Sequence, residues 1–177
     1  MRIVILAGGA GRRIDGGKPS RLLGGETLLD RALGIARRWS DEVLVADGNT
    51  DAPGIEGPLG GVAAALALGG DILTIPCDMP FLPADLPERL NVRGEAAVLA
   101  ESGGRLHPIC ALWRARAADG LAAYAASGRR SLHGFAEAVG YASVSWGTDP
   151  IDPFFNINDE ADLARAEALL ADRKFLP

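Results

Sequence analysis

Hydrophobic residues come in short runs separated by breaks rich in glycine and proline. The first run, Arg2 to Ala7, is apolar at every position after the arginine, as in a central parallel strand covered on both faces. Thr27, with Asp30 three residues later, then reads as a capping box. Behind it Leu28, Leu29, Ala32, Leu33, Ala36 and Trp39 recur at helical spacing, which predicts a helix over Leu28 to Trp39. "DEVLVAD" predicts a second buried strand, Leu59 to Leu68 a helix of small residues, and "DILTIPCD" a third strand ending near Pro76. Strands alternating with helices of this length imply right-handed crossovers and an open, mostly parallel sheet. Ligands of such sheets sit beyond the carboxyl ends of the strands.

A helix is expected to begin near Pro83. Past it, "EAAVLAE" and "HPICALW" predict two strands with a turn at Gly103 and Gly104, and so an antiparallel element. Helices are expected over Arg114 to Ala126 and Ser131 to Val139. A last one follows Asp159 and Asp162, with Leu163, Ala166, Leu169 and Leu170 on one face.

Composition narrows the function class. A chain of 177 residues fits one domain, 1–177. Its formal net charge of −5 and lack of Lys/Arg blocks argue against general binding to nucleic acid or an anionic membrane. "GGVAAALALGG" is well short of the ~20 apolar residues that cross a bilayer. No signal-peptide pattern precedes the first strand, so a cytoplasmic protein is expected. Cys77 and Cys110 lack CxxC spacing and read as buried reduced thiols, and His107 and His133 are too isolated to suggest a metal site.

Against that acidic background, "LAGGAGRRIDGGKPSRLL", Leu6 to Leu23, gathers glycines with Arg12, Arg13, Lys18 and Arg21. A glycine-rich turn after a buried strand lets main-chain N–H groups approach phosphate oxygens, and nearby cations neutralise the remaining charge. The Walker pattern fails, because Arg12 stands at its first glycine and Pro19 at its Ser/Thr. The dinucleotide fingerprint fails as well, with Ile14 at its third glycine.

The loop resembles that of nucleotidyltransferases, and the full set of motifs resembles the molybdenum cofactor guanylyltransferases. Leu6-Ala7-Gly8-Gly9, Arg13, Lys18, "GPLGG" at Gly57 to Gly61, "PCDMP" at Pro76 to Pro80, "HP" at His107 and Pro108, and "FNIND" at Phe155 to Asp159 occur in that family's order. The resemblance implies a Rossmann-like nucleotidyltransferase fold of α/β class, a mostly parallel mixed sheet with helices on both faces. It implies Mg²⁺-dependent transfer of GMP from GTP to the terminal phosphate of molybdopterin or molybdenum-molybdopterin, with release of pyrophosphate. It also implies protein partners in the cofactor pathway. Such chemistry needs alignment and charge neutralisation and no protein nucleophile.

Asp78, just past a buried strand and between Pro76 and Pro80, is the expected metal ligand, since the prolines restrict the turn that carries it. The catalytic set is Lys18, Arg13, Asp78 and Asn158. The nucleotide side is Leu6, Ala7, Gly8, Gly9, Lys18, Asp51, Gly57, Pro58, Leu59 and Asp78. Asn156, Asn158, Arg129 and Arg130 are the acceptor side; the two arginines serve equally well as solvated loop residues. The chain departs from the family at Gly17, where an Asp is usual before the lysine, at Ile14, where Met is usual, and at Ala46, where an Asn ends the second strand. The connection before "GPLGG" is short, with Asp51 the expected partner of the base and Glu56 second. Two alternatives stay open: transfer with another base or acceptor, such as cytidylyl transfer to the cofactor or a sugar or alcohol phosphate acceptor, and a non-catalytic nucleotide-binding homologue.

Overall fold

The computed structural model describes residues 1–8, 18–49, 51–92 and 94–171, and of Lys18 the main chain alone. The chain runs through β1 (Arg2–Leu6), a turn of 3-10 helix (Lys18–Ser20), a minimal hairpin of β2 (Leu22–Leu23) and β3 (Glu26–Thr27), α1 (Leu28–Trp39) and β4 (Val43–Ala46). It continues through α2 (Pro58–Ala67), β5 (Ile72–Pro76), α3 (Leu86–Leu90), β6 (Ala97–Ser102) and β7 (Arg105–Trp113). It closes with α4 (Ala118–Ala126), α5 (Leu132–Val139), β8 (Tyr141–Trp146) and α6 (Glu160–Ala171).

Six strands form one sheet in the order β4-β1-β5-β7-β6-β8. β1 pairs in parallel with β4 and β5, β8 pairs in parallel with β6, and β7 is antiparallel to both of its neighbours. Five strands therefore end on the same edge. Alternation sorts the core: Val4, Leu6, Leu99 and Trp113 face α2, α4 and α5, while Ile3, Ile5, Leu73, Val98 and Leu112 face α1 and α3. A smaller cluster, Leu23, Leu28, Ile157 and Ala166, seats α6 against the hairpin.

The expected caps form. Thr27 Oγ1 accepts from the Asp30 amide at 3.0 Å and donates to the Asp30 carboxylate at 2.6 Å. Ser131 caps α5 through the Gly134 amide, and Asp159 caps α6 through the Asp162 amide at 2.9 Å. Elsewhere the boundaries move. α2 starts one residue early because Pro58 takes its first position, where a missing N–H costs nothing. The segment after Arg114 begins as a 3-10 turn, Ala115–Ala117, and α3 starts at Leu86 rather than near Pro83. β8 and the β2/β3 hairpin are additions to the predicted elements. β8 is an edge strand of mixed exposure whose Ala and Ser give little strand signal.

Candidate functional site

At the carboxyl edge of the sheet, the β4-β1-β5 half offers mainly main chain. The Ala46 carbonyl accepts from the amides of both Ala7 and Gly8, at 2.8 and 3.0 Å, so the chain leaving β1 is turned across the end of β4. A side chain at Gly8 would meet the Gly48 nitrogen at 3.0 Å, which explains glycine there. Gly57 precedes α2 with φ +75°, and Pro58 then starts the helix. Gly60 and Gly61 have a different job. A Cβ on Gly60 would overlap the Ile55 carbonyl and approach Asp51 Cβ to 2.8 Å, and one on Gly61 would meet Ala46 Cβ at 2.7 Å and Leu6 Cδ2 at 2.9 Å. The glycine pair thus lets α2 sit directly on β1 and β4, with Asp51 lodged against its first turn.

The nucleotide-side residues Leu6, Ala7, Gly8, Asp51, Gly57, Pro58 and Leu59 are therefore gathered at the ends of β1 and β4. Leu6 and Leu59 are buried in the core, so any contact from them to a nucleotide runs through main chain. Gly9 and Arg13 lie outside the described residues, and Lys18 is placed by its main chain at the start of the 3-10 turn. Arg21 pairs with Glu160 at 3.0 Å, tying the hairpin to α6.

Asp78 sits, half-buried, in the turn after β5. The Ile157 amide donates to the Asp78 carbonyl at 2.9 Å, so "FNIND" is fixed against "PCDMP" although 79 residues separate them in the chain. Cys110 packs alongside, its sulfur 3.6 Å from that of Met79. Burial, with the Asp78 charge adding to it, holds the Cys110 thiol well above its usual range, so it is a neutral wall and no nucleophile. Among the described residues no cluster of three or more His, Cys, Asp or Glu could hold a metal by protein ligands alone. A lone carboxylate beside a phosphate site does suit Mg²⁺, which keeps waters and takes one or two carboxylates together with substrate phosphates.

Next to Asp78 the sheet opens. β7 pairs with β5 only as far as Thr74 and Ala111, and its pairing with β6 jumps from Leu99–Ala111 to Ala100–His107. Residues 108–110 form the irregularity, where Pro108 has no amide to give to a ladder. Into the space comes His107, with Nε2 2.8 Å from Ser102 Oγ and its ring stacked on Phe154 at 4.7 Å. Burial lowers the His107 pKa; Asp152 and Glu101 oppose this and Arg105 reinforces it. A crevice of about 450 Å³ results, lined by Met79, Ser102, Arg105, His107, Phe155 and Asn156 among others, with Asn158 at its border. Asn156 Oδ1 is buried and has no donor among the described residues.

Asn156, Asn158 and Asp78 thus come together. Arg129 and Arg130 do not line this crevice: Arg129 pairs with Glu137 at 3.5 Å and lies over the Tyr124 ring, and Arg130 donates to the carbonyls of Ala125 and Arg129. Sequence reasoning missed Ser102, Arg105, Asp152 and Phe154 as crevice residues, and it had His107 only within the "HP" motif, with no role in a site. The signal for His107 was Pro108, since a proline inside a central strand marks a bulge. The others carry no local signal, because only the fold brings them together.

Known proteins share the family and the fold. The model of the MobA-like NTP transferase domain matches residues 3–139. Molybdenum cofactor guanylyltransferases of Cereibacter sphaeroides strain ATCC 17029 and Acidiphilium cryptum are 41% and 40% identical, covering 94% and 95% of this chain and 95% and 94% of theirs. Among solved structures, molybdopterin-guanine dinucleotide biosynthesis protein A from Archaeoglobus fulgidus superposes with a TM-score of 0.73 at 25% identity, over 97% of this chain and 99% of its own. The 2-C-methyl-D-erythritol 4-phosphate cytidylyltransferase of Thermus thermophilus shares the fold, with a TM-score of 0.65 at 22% identity over 95% of this chain and 98% of that one. A family model over most of the chain and relatives at about 40% identity along nearly its whole length show that the chain belongs to the MobA-like NTP transferases.

Proposed function

We propose that the chain transfers GMP from GTP to the terminal phosphate of molybdopterin, with or without molybdenum, in molybdenum cofactor biosynthesis. One phosphate oxygen of the acceptor forms a bond to the α-phosphorus of GTP. The bond from that phosphorus to the α–β bridging oxygen breaks, and the electron pair leaves with pyrophosphate. The observation that carries the reading is the hydrogen bond from the Ile157 amide to the Asp78 carbonyl, because it joins a phosphate-side turn to a segment lining a separate crevice. A nucleotide and an acceptor could meet at that junction.

In this reading the main chain around Gly8 and Gly57, with Lys18 and Arg13, receives the triphosphate, and Asp51 accepts from guanine N1 and N2. Asn158 orients the acceptor phosphate, while Asn156 faces the rest of the acceptor. Asp78 would hold Mg²⁺, which when bound supplies neutralisation of the phosphate charge. Aligning two anions and excluding water between them supplies much of the remaining acceleration. Among the described residues no helix is long and apolar enough to cross a membrane, and the substrates proposed are small molecules.

Pyrophosphate release with Mg²⁺, molybdopterin and each of GTP, ATP and CTP tests the proposal. GTP alone should give turnover, since a site that hydrogen-bonds a base edge can reject an analogue by several kcal/mol. Turnover with CTP would move the assignment to cytidylyl transfer. Binding of GTP without pyrophosphate would make the protein a non-catalytic homologue.

A further inference from the structure

The crevice beside Asp78 holds three kinds of polar group, and they are unequally committed. Its carboxylates already serve the main chain: Asp152 accepts from the Phe154 amide and Asp162 from the Asn158 amide, each at 2.9 Å. Ser102 and His107 satisfy each other, and burial favours the neutral imidazole, so this pair adds no charge. Arg105 is different. It is exposed, lines the crevice, and makes no ion pair or hydrogen bond with any described residue, leaving all five guanidinium donors available. Among the described residues that line the crevice, the other polar atom left without a partner is the buried acceptor Asn156 Oδ1.

The turn that presents Arg105 is built to hold it. Gly103 and Gly104 have φ of +54° and +75°, and Ser102 pairs directly with Arg105 across them, the geometry of a tight two-residue hairpin. Arg105 therefore begins β7, the strand next to β5, beyond the point where the two stop pairing, and the end of β5 carries Asp78. The crevice between them suits a fused heterocycle with a short phosphorylated arm, its phosphate toward Asp78 and its ring toward Arg105.

We propose that Arg105 is a specificity-determining contact for the acceptor, its guanidinium taking the carbonyl edge of a fused heterocyclic amide while Asn156 Oδ1 takes an N–H of the same ring. This rests on the reading of the crevice as the acceptor side. A planar fork of donors suits that edge, whereas a lysine offers one point charge. A buried acceptor with no partner disfavours any ligand that cannot supply a donor. Arg105 and Asn156 together thus read the ring, and the reactive phosphate is left to the groups around Asp78.

The experiment compares the parent with Arg105→Ala and Arg105→Lys. Pyrophosphate release is followed while molybdopterin and GTP are varied separately, and molybdopterin binding is read by pterin fluorescence without GTP. Arg105→Ala should raise the molybdopterin KM at least tenfold and weaken pterin binding to match, with the GTP KM and the melting temperature unchanged. Arg105→Lys should recover part of the loss. A molybdopterin KM and affinity within twofold of the parent would overturn the Arg105 assignment while an active parent upholds the transferase reading. A parent that neither binds molybdopterin nor releases pyrophosphate would overturn both.

Discussion

The two halves of the sheet edge solve recognition with different materials. Around β4, β1 and β5, the first two parallel strands end in glycine-containing loops and the third in the Pro76–Pro80 turn, and the large side chains Leu6 and Leu59 are spent on the core, which leaves mainly main chain at this edge. Around β7, β6 and β8, one antiparallel strand and its bulge open a crevice whose lining is side chain: Arg105, His107, Phe155 and Asn156. Main-chain amides suit phosphates, which every nucleoside triphosphate carries. Side chains suit an acceptor, which distinguishes one transferase from another. Asp78 stands on the boundary, and Asp78→Asn is the harshest test of the division. Turnover should fall by ~10² to 10³, the usual cost of removing one preorganised electrostatic contact, with the melting temperature held. Pyrophosphate release against Mg²⁺ concentration checks it. A rate within a few-fold of the parent at low Mg²⁺ would take the metal away from Asp78.

Gly60→Ala asks whether the main-chain half depends on close packing. The added methyl would overlap the Ile55 carbonyl and crowd Asp51, so α2 must retreat from the 51–55 loop. Overpacking of this kind costs roughly 1–3 kcal/mol, and urea unfolding would read it. GTP affinity by calorimetry should fall as well, because Asp51 shifts, while molybdopterin binding to the other half stays near parental. An unchanged urea midpoint would mean that the loop yields freely and that Asp51 is not held by the helix.

The same division explains what could be read in the sequence. Elements of both halves were legible, since buried strands announce themselves as apolar runs and α1 and α6 by period and cap. The turns at the ends of β1, β4 and β5 were legible too, because glycine, proline and aspartate at turns leave marks that are local in sequence. "GPLGG" supplies three of the expected nucleotide-side residues, yet its last two glycines answer to helix packing, Gly60 against Ile55 and Asp51 and Gly61 against Leu6 and Ala46. In the crevice, Asn156 and Asn158 were named from "FNIND", but the rest of the lining was opaque for a physical reason. Ser102, His107 and Phe154 come from three segments, and each alone looks like an ordinary core or loop residue. Only the departure of β7 from β5 makes them neighbours.

Asp159 and Asn158, adjacent in the chain, should separate cleanly. Asp159 Oδ1 accepts from the Asp162 amide and caps α6, so Asp159→Ala should cost ~1 kcal/mol of stability. The Asn158 main-chain amide, which meets Asp162, survives substitution by alanine. Asn158→Ala should therefore leave the melt near parental and lower transfer to the acceptor more than GTP binding. The opposite pattern, a stability loss in Asn158→Ala and none in Asp159→Ala, would make Asn158 the cap and remove it from the reaction.

The smallest effect concerns acid stability and sharpens the picture of the crevice wall. His107 is buried between Ser102 and Phe154, with Arg105, Asp152 and Glu101 as the charges that act on it, and burial sets its pKa below the ordinary 6.5. As the pH falls through 6.5 the unfolded chain takes up a proton that the folded chain still refuses, so stability declines from there down to the folded value and is flat above. Carboxylates titrate near 4, outside this window. Melts taken between about pH 7 and pH 5.5 should show a gentle slope in the parent and a flatter one in His107→Gln, which keeps a polar group for Ser102 but cannot titrate. Arg105→Ala removes a nearby positive charge, so its histidine should hold a proton more readily and its slope should shrink. Identical slopes in all three proteins would assign the acid sensitivity to some other group and loosen the proposed electrostatic link between Arg105 and the crevice wall.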